Sequence, residues 1–210
     1  MSLNRRDFAL GLASVGGIGS CALGPQAARA DLYRCEGCEA VHERPATAIQ
    51  SVVRLGQPNQ SGEPMTLSGQ VFAVDGRTPA ADVVVYAHHT NASGLYADGS
   101  EDTEWSRRHG RLRGWVRTDR EGRYRFETIK PAPYPSRALP AHVHLFIGEP
   151  GRRPYYIDDV VFEGEFGVDR DYYARQELRG GSGIVTLRRD PASGWTAERN
   201  IRLETHPSRL

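Results

Sequence analysis

The sequence predicts an all-β protein, an antiparallel β-sandwich with long loops and an irregular N-terminal arm. Three observations lead to this prediction. The chain of 210 residues contains a series of short apolar runs separated by turn residues. No strong helical periodicity interrupts these runs. Glycine (23 residues) and proline (13) provide for many turns, and tyrosine (9) favours strands.

The first thirty residues are typical of a twin-arginine export signal. Arg5-Arg6 precedes an apolar run over residues 9–23, and Ala28-Arg29-Ala30 has the form of a cleavage site. The run is shorter than the roughly 20 residues that a membrane span needs. Residues 1–30 therefore predict export to the periplasm or secretion. Cleavage before Cys21, with lipidation of that cysteine, is the alternative, and it is the only membrane contact that we expect.

Residues 31–62 form the predicted arm, which contains Cys35 and Cys38. A cysteine pair in an oxidising compartment is usually a disulfide. A redox C-x-x-C motif is an alternative, but no βαβ pattern follows it. Half of a zinc site is another, although His42 is the only further ligand nearby. The compartment favours a local disulfide.

Residues 63–210 form the predicted sandwich domain. The run 124–128 alternates apolar and polar residues, as expected of a half-buried strand. Residues 90–112 are a long loop rich in glycine and charge, and the last two strands form a hairpin around residues 190–194. The predicted strands are 65–74, 83–87, 115–118, 124–128, 141–147, 155–162, 184–187 and 195–203.

The charge balance argues against a protein that binds nucleic acids. The chain has 27 basic and 26 acidic side chains, a net charge of +1, and no basic stripe. The sequence also contains neither a nucleophile elbow nor a glycine-rich phosphate loop.

A cluster of histidines and tyrosines indicates a metal site. His142 and His144 lie on a predicted strand, where alternate side chains point to the same face, so both imidazoles can bind one ion. Tyr134 lies between two prolines in the turn before this strand, and Tyr96 lies in a glycine-containing loop. Each feature alone is more often simple packing, and the combination carries the prediction. His88-His89 and His109 are weaker candidates, for which core, surface or solvated loop positions are the alternatives.

Three segments resemble the catalytic domain of the intradiol ring-cleavage dioxygenases. They are GQVFAVDGRTPAADVVVYAHHTNASGLY, RGWVRTDREGRYRFETIKPAPYP and PAHVHLFI, in the order of that family. The resemblance implies a non-haem iron(III) cofactor, Fe(3+), with four ligands. By position they fall on Tyr96, Tyr134, His142 and His144.

The resemblance also implies an activity. Such enzymes are oxidoreductases that cleave a catechol-type ring with O2 to a muconate-type diacid, so the expected partners are a small aromatic substrate and O2. Tyr134 matches the tyrosine that leaves the metal during the reaction, and it is therefore a catalytic candidate. Self-association is left open.

Two departures from the family pattern qualify this activity. Leu139 stands where catechol-cleaving members usually have an arginine, and Arg137, two residues earlier, is the candidate replacement as a catalytic residue. Asp159 stands where a glutamine is expected, and a carboxylate there would repel a catechol dianion. The alternatives are a non-catalytic secreted β-sandwich module and an enzyme of the same scaffold with altered oxidative chemistry on a larger phenol.

Overall fold

A computed structural model of the protein describes residues 27–97 and 103–207. Within these ranges the chain forms mainly strands, with two short α-helices and two 3-10 helices, so the predicted all-β class is confirmed. The helices are α1 Glu104–His109 and α2 Arg170–Arg175, with 3-10 turns at Cys38–His42 and Ala46–Ala48. The strands are β1 Val52–Arg54, β2 Pro64–Phe72, β3 Val84–His89, β4 Arg113–Arg117, β5 Arg123–Ile129, β6 His142–Gly148, β7 Tyr155–Phe162, β8 Ile184–Val185, β9 Arg188–Asp190, β10 Gly194–Glu198 and β11 Ile201–Arg202.

The strands form the two sheets of a sandwich. One sheet has the order β1-β5-β2-β10-β9, with β11 also paired to β2, and the other has the order β4-β3-β6-β7-β8. Long adjacent strands such as β3 and β6 are antiparallel, as predicted. Both sheets are nevertheless mixed, because β1, β8, β10 and β11 each join their neighbour in parallel. These short strands reach their partners through long connections rather than hairpin turns, which permits the parallel direction.

The final hairpin differs from the prediction. Its first strand is β9, which pairs with β10, whereas residues 184–185 pair with β7 in the other sheet. The turn explains the difference, because the Asp190 carboxylate accepts hydrogen bonds from the backbone N–H groups of Ala192 and Ser193 at 2.8 and 2.9 Å. This tight turn pairs the residues that flank it directly.

The main core lies between the sheets. The outward face of the β3–β6 sheet carries a second, smaller cluster, because alternate residues of each strand point away from the main core. Tyr86 and Phe146 belong to this second cluster, and the 3-10 turn Cys38–His42 of the N-terminal arm packs over them. The large inter-sheet side chains include Leu67, Phe126, Val85, Leu145 and Ile157.

The N-terminal arm is attached to the sandwich. It contributes β1, which pairs with β5, and the sulfur atoms of Cys35 and Cys38 are joined in a disulfide. The predicted export signal, including Arg5, Arg6 and Cys21, lies outside the described residues except for its last four. Among the helices in the described part of the chain, none has the length and apolar character needed to cross a bilayer.

Candidate metal centre

The two predicted histidine ligands lie on the outward face of β6. Val143 and Leu145 belong to the main core, so His142 and His144 point to the opposite face, as strand alternation requires. A register irregularity between β6 and β7 falls between Val143 and Leu145. Such bulges re-aim side chains, and this one lies at the site itself.

The structure brings the four predicted ligands together. The oxygen atoms of Tyr96 and Tyr134 lie 2.9 Å apart, and the Tyr134 oxygen lies 3.3 Å from Nε2 of His142. Nε2 of His142 lies 3.1 Å from Nε2 of His144, which in turn lies 3.0 Å from the Tyr96 oxygen. Two phenol oxygens and two imidazole nitrogens therefore close a ring of four donor atoms.

The hydrogen-bond partners of the histidines indicate what this ring holds. Nδ1 of His142 lies 2.7 Å from the carbonyl oxygen of Pro140, and Nδ1 of His144 lies 2.9 Å from Oδ1 of Asp159. Both partners accept, so each Nδ1 carries the proton and each neutral ring presents a lone pair at Nε2. Two lone pairs that face each other at 3.1 Å repel, and a cation between them removes the repulsion.

The spacing of the donors fits one ion. Ligand atoms about 2.1 Å from a metal and at right angles to one another are about 3 Å apart. The four separations of 2.9 to 3.3 Å match this value. Two hard phenolate oxygens with two imidazoles suit a trivalent iron ion. This donor set differs from the two-histidine, one-carboxylate sites of iron(II) oxygenases.

Asp159 also lies beside this site and completes a cluster of metal-binding residue types with His142 and His144. Its carboxylate contacts Nδ1 of His144, which is the nitrogen that points away from the four-atom ring. A carboxylate in this place fixes the tautomer and orientation of a ligating imidazole. We therefore assign Asp159 to the support of His144 and not to the ligand set.

Comparisons with known proteins identify the family. Residues 36–180, well over half of the chain, match the family model described as Dioxygenase. The chain belongs to the intradiol ring-cleavage dioxygenases. It is 30% identical to catechol 1,2-dioxygenase 2 of Acinetobacter lwoffii over 55% of this chain and 50% of that one. It is 33% identical to the protocatechuate 3,4-dioxygenase beta chain of Burkholderia cepacia over 58% of each.

Solved structures show the same fold. Catechol 1,2-dioxygenase from Pseudomonas arvilla C-1 has a TM-score of 0.53 and 27% identity, over 76% of this chain and 58% of that one. The dioxygenase domain of a carbohydrate-binding fusion protein from Streptomyces sp. SirexAA-E has a TM-score of 0.53 and 22% identity, over 78% and 95%. The chain spans about half the length of the curated catechol dioxygenases that it matches.

Burial shifts the ionisation of the site. Burial raises the pKa of the Tyr96 phenol far above its usual value, and the hydrogen bond with Tyr134 acts in the same direction. Burial also lowers the pKa of His142, and the neighbouring His144 lowers it further. The imidazole of His142 is therefore held in the neutral form that binds metals, whereas a bound cation is needed to stabilise the phenolate of Tyr96.

A cavity of about 360 Å³ lies behind the two histidines of the candidate metal centre, and none of the four donor residues lines it. It is lined by Asp159 and Pro140, which hold the two histidine ligands from behind, and by Leu139. Arg137 also lines it, but its guanidinium lies over the ring of Phe166, 4.0 Å from the ring centre. Arg137 is thus placed at the cavity with no direct contact to the four donor atoms.

Two of the weaker histidine candidates, His88 and His109, lie behind the ligands. His88 is fully enclosed beside His144, and His109 stacks on His88. Burial lowers the pKa of His109 to about 3, so its ring is neutral. Strand alternation predicts that His88 and His89 point to opposite faces of the sheet. The structure confirms this, since His89 contacts Thr128 of the other sheet. His109 was predicted to lie in a loop, but the structure places it on the short helix α1. No sequence pattern as clear as strand alternation indicated this position.

Proposed function

We propose that the protein is a non-haem iron(III) dioxygenase that cleaves a catechol-type ring between its two hydroxyl-bearing carbons. The observation that carries this proposal is the convergence of two imidazole lone pairs and two phenol oxygens at mutual distances of 2.9 to 3.3 Å. The family membership supports the reaction type. The overall reaction adds both atoms of O2 to the catechol and yields a muconate-type diacid.

The roles of the residues follow from their positions. When bound, a ferric ion supplies the Lewis acidity that favours the doubly deprotonated catechol and its reaction with O2. Tyr96, His142 and His144 would hold the ion. Asp159 and the Pro140 carbonyl would keep the imidazoles oriented through their Nδ1 protons.

Tyr134 matches the tyrosine that leaves the metal in the family that the sequence resembles. Like Tyr96, it is partly exposed and lies outside the strands, in the turn before β6. Its side chain can therefore move aside to admit the second oxygen of a catechol, and its own oxygen can accept a proton from a substrate hydroxyl. Tyr134 is thus our candidate for the ligand that exchanges during the reaction.

A substrate larger than catechol is the second candidate, in which a substituent of the ring would enter the cavity lined by Pro140 and Asp159. The cavity volume of about 360 Å³ is within the range of sites that enclose drug-sized ligands. Leu139 and Phe166, both about half exposed, provide an apolar rim. Arg137 adds the positive charge nearest to Leu139, and we propose it as a residue that contacts the substrate anion. A larger dihydroxy-aromatic, cleaved or otherwise oxidised, is therefore the alternative substrate class.

Metal analysis with visible absorption spectroscopy tests the proposal. The iron-loaded protein should be coloured by charge transfer from tyrosinate to iron and should consume one O2 per catechol cleaved. Tyr96→Phe and His144→Ala should abolish the colour, whereas Tyr173→Phe, which removes a surface phenol from α2, should retain it. A colourless protein after iron loading would overturn the metal site and favour the non-catalytic module. A coloured protein that cleaves no ring across a panel of small and substituted catechols would overturn the reaction.

We also propose that the protein acts outside the cytoplasm. The twin arginine, the apolar run and the cleavage motif of residues 1–30 support this location, and the Cys35–Cys38 disulfide is of the kind that persists in oxidising compartments. Replacing Arg5 and Arg6 together by lysine should retain an unprocessed precursor in the cytoplasm. Unchanged processing in that variant would contradict twin-arginine export.

A further inference from the structure

A buried histidine, His88, faces the metal ligand His144 across the sheet. The two residues are directly opposite each other in the β3–β6 register, on the outward face. Their ring centres are 4.4 Å apart with a tilt of 30°, and the His88 ring also lies 5.6 Å from the ring of Tyr96. His88 therefore packs against two of the four ligand side chains.

A second imidazole supports the first. The His109 ring is stacked on His88 with a centroid distance of 3.8 Å and an interplanar angle of 5°. Nδ1 of His109 lies 2.8 Å from the hydroxyl of Tyr86, and the Trp105 ring lies 5.0 Å away on α1. The position of His109 is thus determined by contacts on several sides, and it blocks movement of His88 away from His144.

The contact of His88 is made through its ring and not through a hydrogen bond. Its Nδ1 atom is buried and has no hydrogen-bond partner among the described residues. Its neighbour His89 differs, because both nitrogens of His89 have partners, the carbonyl of Thr90 and the hydroxyl of Thr128, each at 2.7 Å. An unpaired buried nitrogen is an exception in folded proteins, and here it coincides with a close ring contact between His88 and His144.

The N-terminal arm closes the stack from outside. Gly37, inside the loop closed by the Cys35–Cys38 disulfide, has a φ of +86°, and a Cβ added there would lie 3.0 Å from Cε1 of His109. Glu36 of the same loop forms an ion pair with Arg108 of α1. The arm thus holds α1 and, through it, the stacked histidines.

We propose that His88 and His109 are positioning residues for the metal ligand His144, and that the loop around Gly37 holds this stack in place. The inference rests on the metal site of the proposed function. Asp159 fixes His144 along its Nδ1 direction, and the His88 ring fixes the tilt of the imidazole plane, which a single hydrogen bond leaves free. Both constraints are needed to aim Nε2 at the ion.

The first test compares ring substitutions at His88 in the iron-loaded protein. The readouts are the rate of iron loss to a chelator and the position of the visible absorption band. We expect His88→Ala to accelerate iron loss about 10- to 100-fold, as for other residues that orient a ligand. His88→Phe keeps a ring against His144 and should recover most of the retention. Phe126→Leu, which removes a buried aromatic ring from the main core on β5, is the control for packing loss and should leave iron loss and the band unchanged.

The second test acts from outside the site. Gly37→Ala adds a methyl group against His109, and Gly151→Ala is its matched control, because Gly151 also has a positive φ (+69°) but no atom within 4 Å of an added Cβ. Iron loss should be faster only in Gly37→Ala. Thermal unfolding of the iron-free proteins measures the general loss of stability, which the two glycine variants should share.

The outcomes separate the two proposals. Wild-type protein that does not retain iron would overturn the proposed function. Wild-type protein that retains iron, with His88→Ala losing it no faster than Phe126→Leu, would overturn the positioning role alone. Equal iron loss in His88→Phe and His88→Ala would also overturn it, because the ring would then not be what orients His144.

Discussion

At the scale of single residues, the pairing of the histidine nitrogens decides the chemistry of the site. Each Nδ1 has an acceptor, the carbonyl of Pro140 or the carboxylate of Asp159, so both Nε2 atoms present lone pairs to the same point. Asp159 was expected to repel a catechol dianion, and its contact with His144 gives it a supporting role. A carboxylate that accepts a hydrogen bond from an N–H group has part of its negative charge offset by that group, and this reduces the repulsion of a catechol dianion.

Removal of the Asp159 carboxylate should weaken metal binding. We expect Asp159→Ala to lower iron affinity about 10- to 100-fold, because His144 loses the partner that fixes its tautomer. Asp159→Asn should lose less, since an amide oxygen can still accept the hydrogen bond. Competition with a chelator measures the affinity. The control is Asp158→Asn, because the Asp158 carboxylate accepts hydrogen bonds from the backbone N–H groups of Leu178 and Arg179. Equal affinity of Asp159→Ala and the wild type would contradict the assigned role.

Acid should destabilise the iron-free protein through its buried histidines. Burial lowers the pKa of His89 to about 4, below its usual value near 6.5, so the unfolded chain binds the proton more readily. The stabilisation is complete above pH 6.5 and is lost as the pH falls toward 4, by about 2–3 kcal/mol from this residue. Burial lowers the pKa of His88 and His109 in the same direction.

Denaturant unfolding at a series of pH values measures this effect. His89→Gln keeps a polar side chain near Thr128 and should show a smaller loss of unfolding free energy between pH 6.5 and 4 than the wild type. If the two proteins had the same slope over this range, His89 would not be the residue that binds the proton on unfolding.

At the scale of elements, the pairing of strands decides which side chains meet. β3 and β7 flank β6, so His88 and Asp159 approach His144 from its two sides. The short strand β8 then borders β7, and its approach depends on Gly183, where an added Cβ would lie 2.0 Å from the carbonyl oxygen of Asp159. The site is therefore sensitive to the spacing between β7 and the segment that precedes β8.

Gly183→Ala should disturb the site through the backbone. The added methyl group would force β7 and residue 183 apart, which displaces Asp159 from His144 and destabilises the sheet edge. We expect an unfolding free energy lower by about 2–4 kcal/mol, together with faster iron loss. Gly164→Ala, with a positive φ but open space around the added Cβ, is the control. Stability equal to that of the wild type would show that β8 can move without cost.

At the scale of the whole molecule, the N-terminal arm connects distant parts of the sandwich. Asp31, the first residue after the predicted cleavage site, accepts a hydrogen bond at 2.5 Å from the guanidinium of Arg179. Arg179 is 1% exposed and also pairs with Glu177 at 2.8 Å. A buried arginine needs its carboxylate partners, so residue 31 of the N-terminal arm is tied to the segment before β8.

Loss of the Asp31 charge should reduce stability measurably. Asp31→Asn leaves Arg179 with Glu177 as its carboxylate partner at this place, and we expect unfolding free energy to fall by about 1 kcal/mol, discounted because Asp31 is half exposed. The exposed pair Arg189–Glu63 is the control, where Glu63→Gln should leave stability unchanged. Chemical denaturation of both variants checks the difference, and equal effects would contradict the role of the arm.

Much of the fold and of the ligand set could be predicted from local patterns. Alternation along β5 and β6 reports which side chains share a face, and turn residues report where strands end. The four ligands Tyr96, Tyr134, His142 and His144 were predicted through the family resemblance, and the structure brings them together. Local patterns do not report partners far apart in sequence, which is why the parallel edge strands and the pairing of β9 with β10 were not predicted.

The sequence by itself determined the all-β class, the family and the residues that converge on the metal centre. Only the tertiary structure decided what stands behind them, namely Asp159 at one side of His144 and the His88–His109 stack at the other. The physical reason is that strand periodicity is a property of neighbouring residues, whereas the orientation of an imidazole depends on contacts between β3, α1, β7 and the N-terminal arm that form only when the sheets assemble.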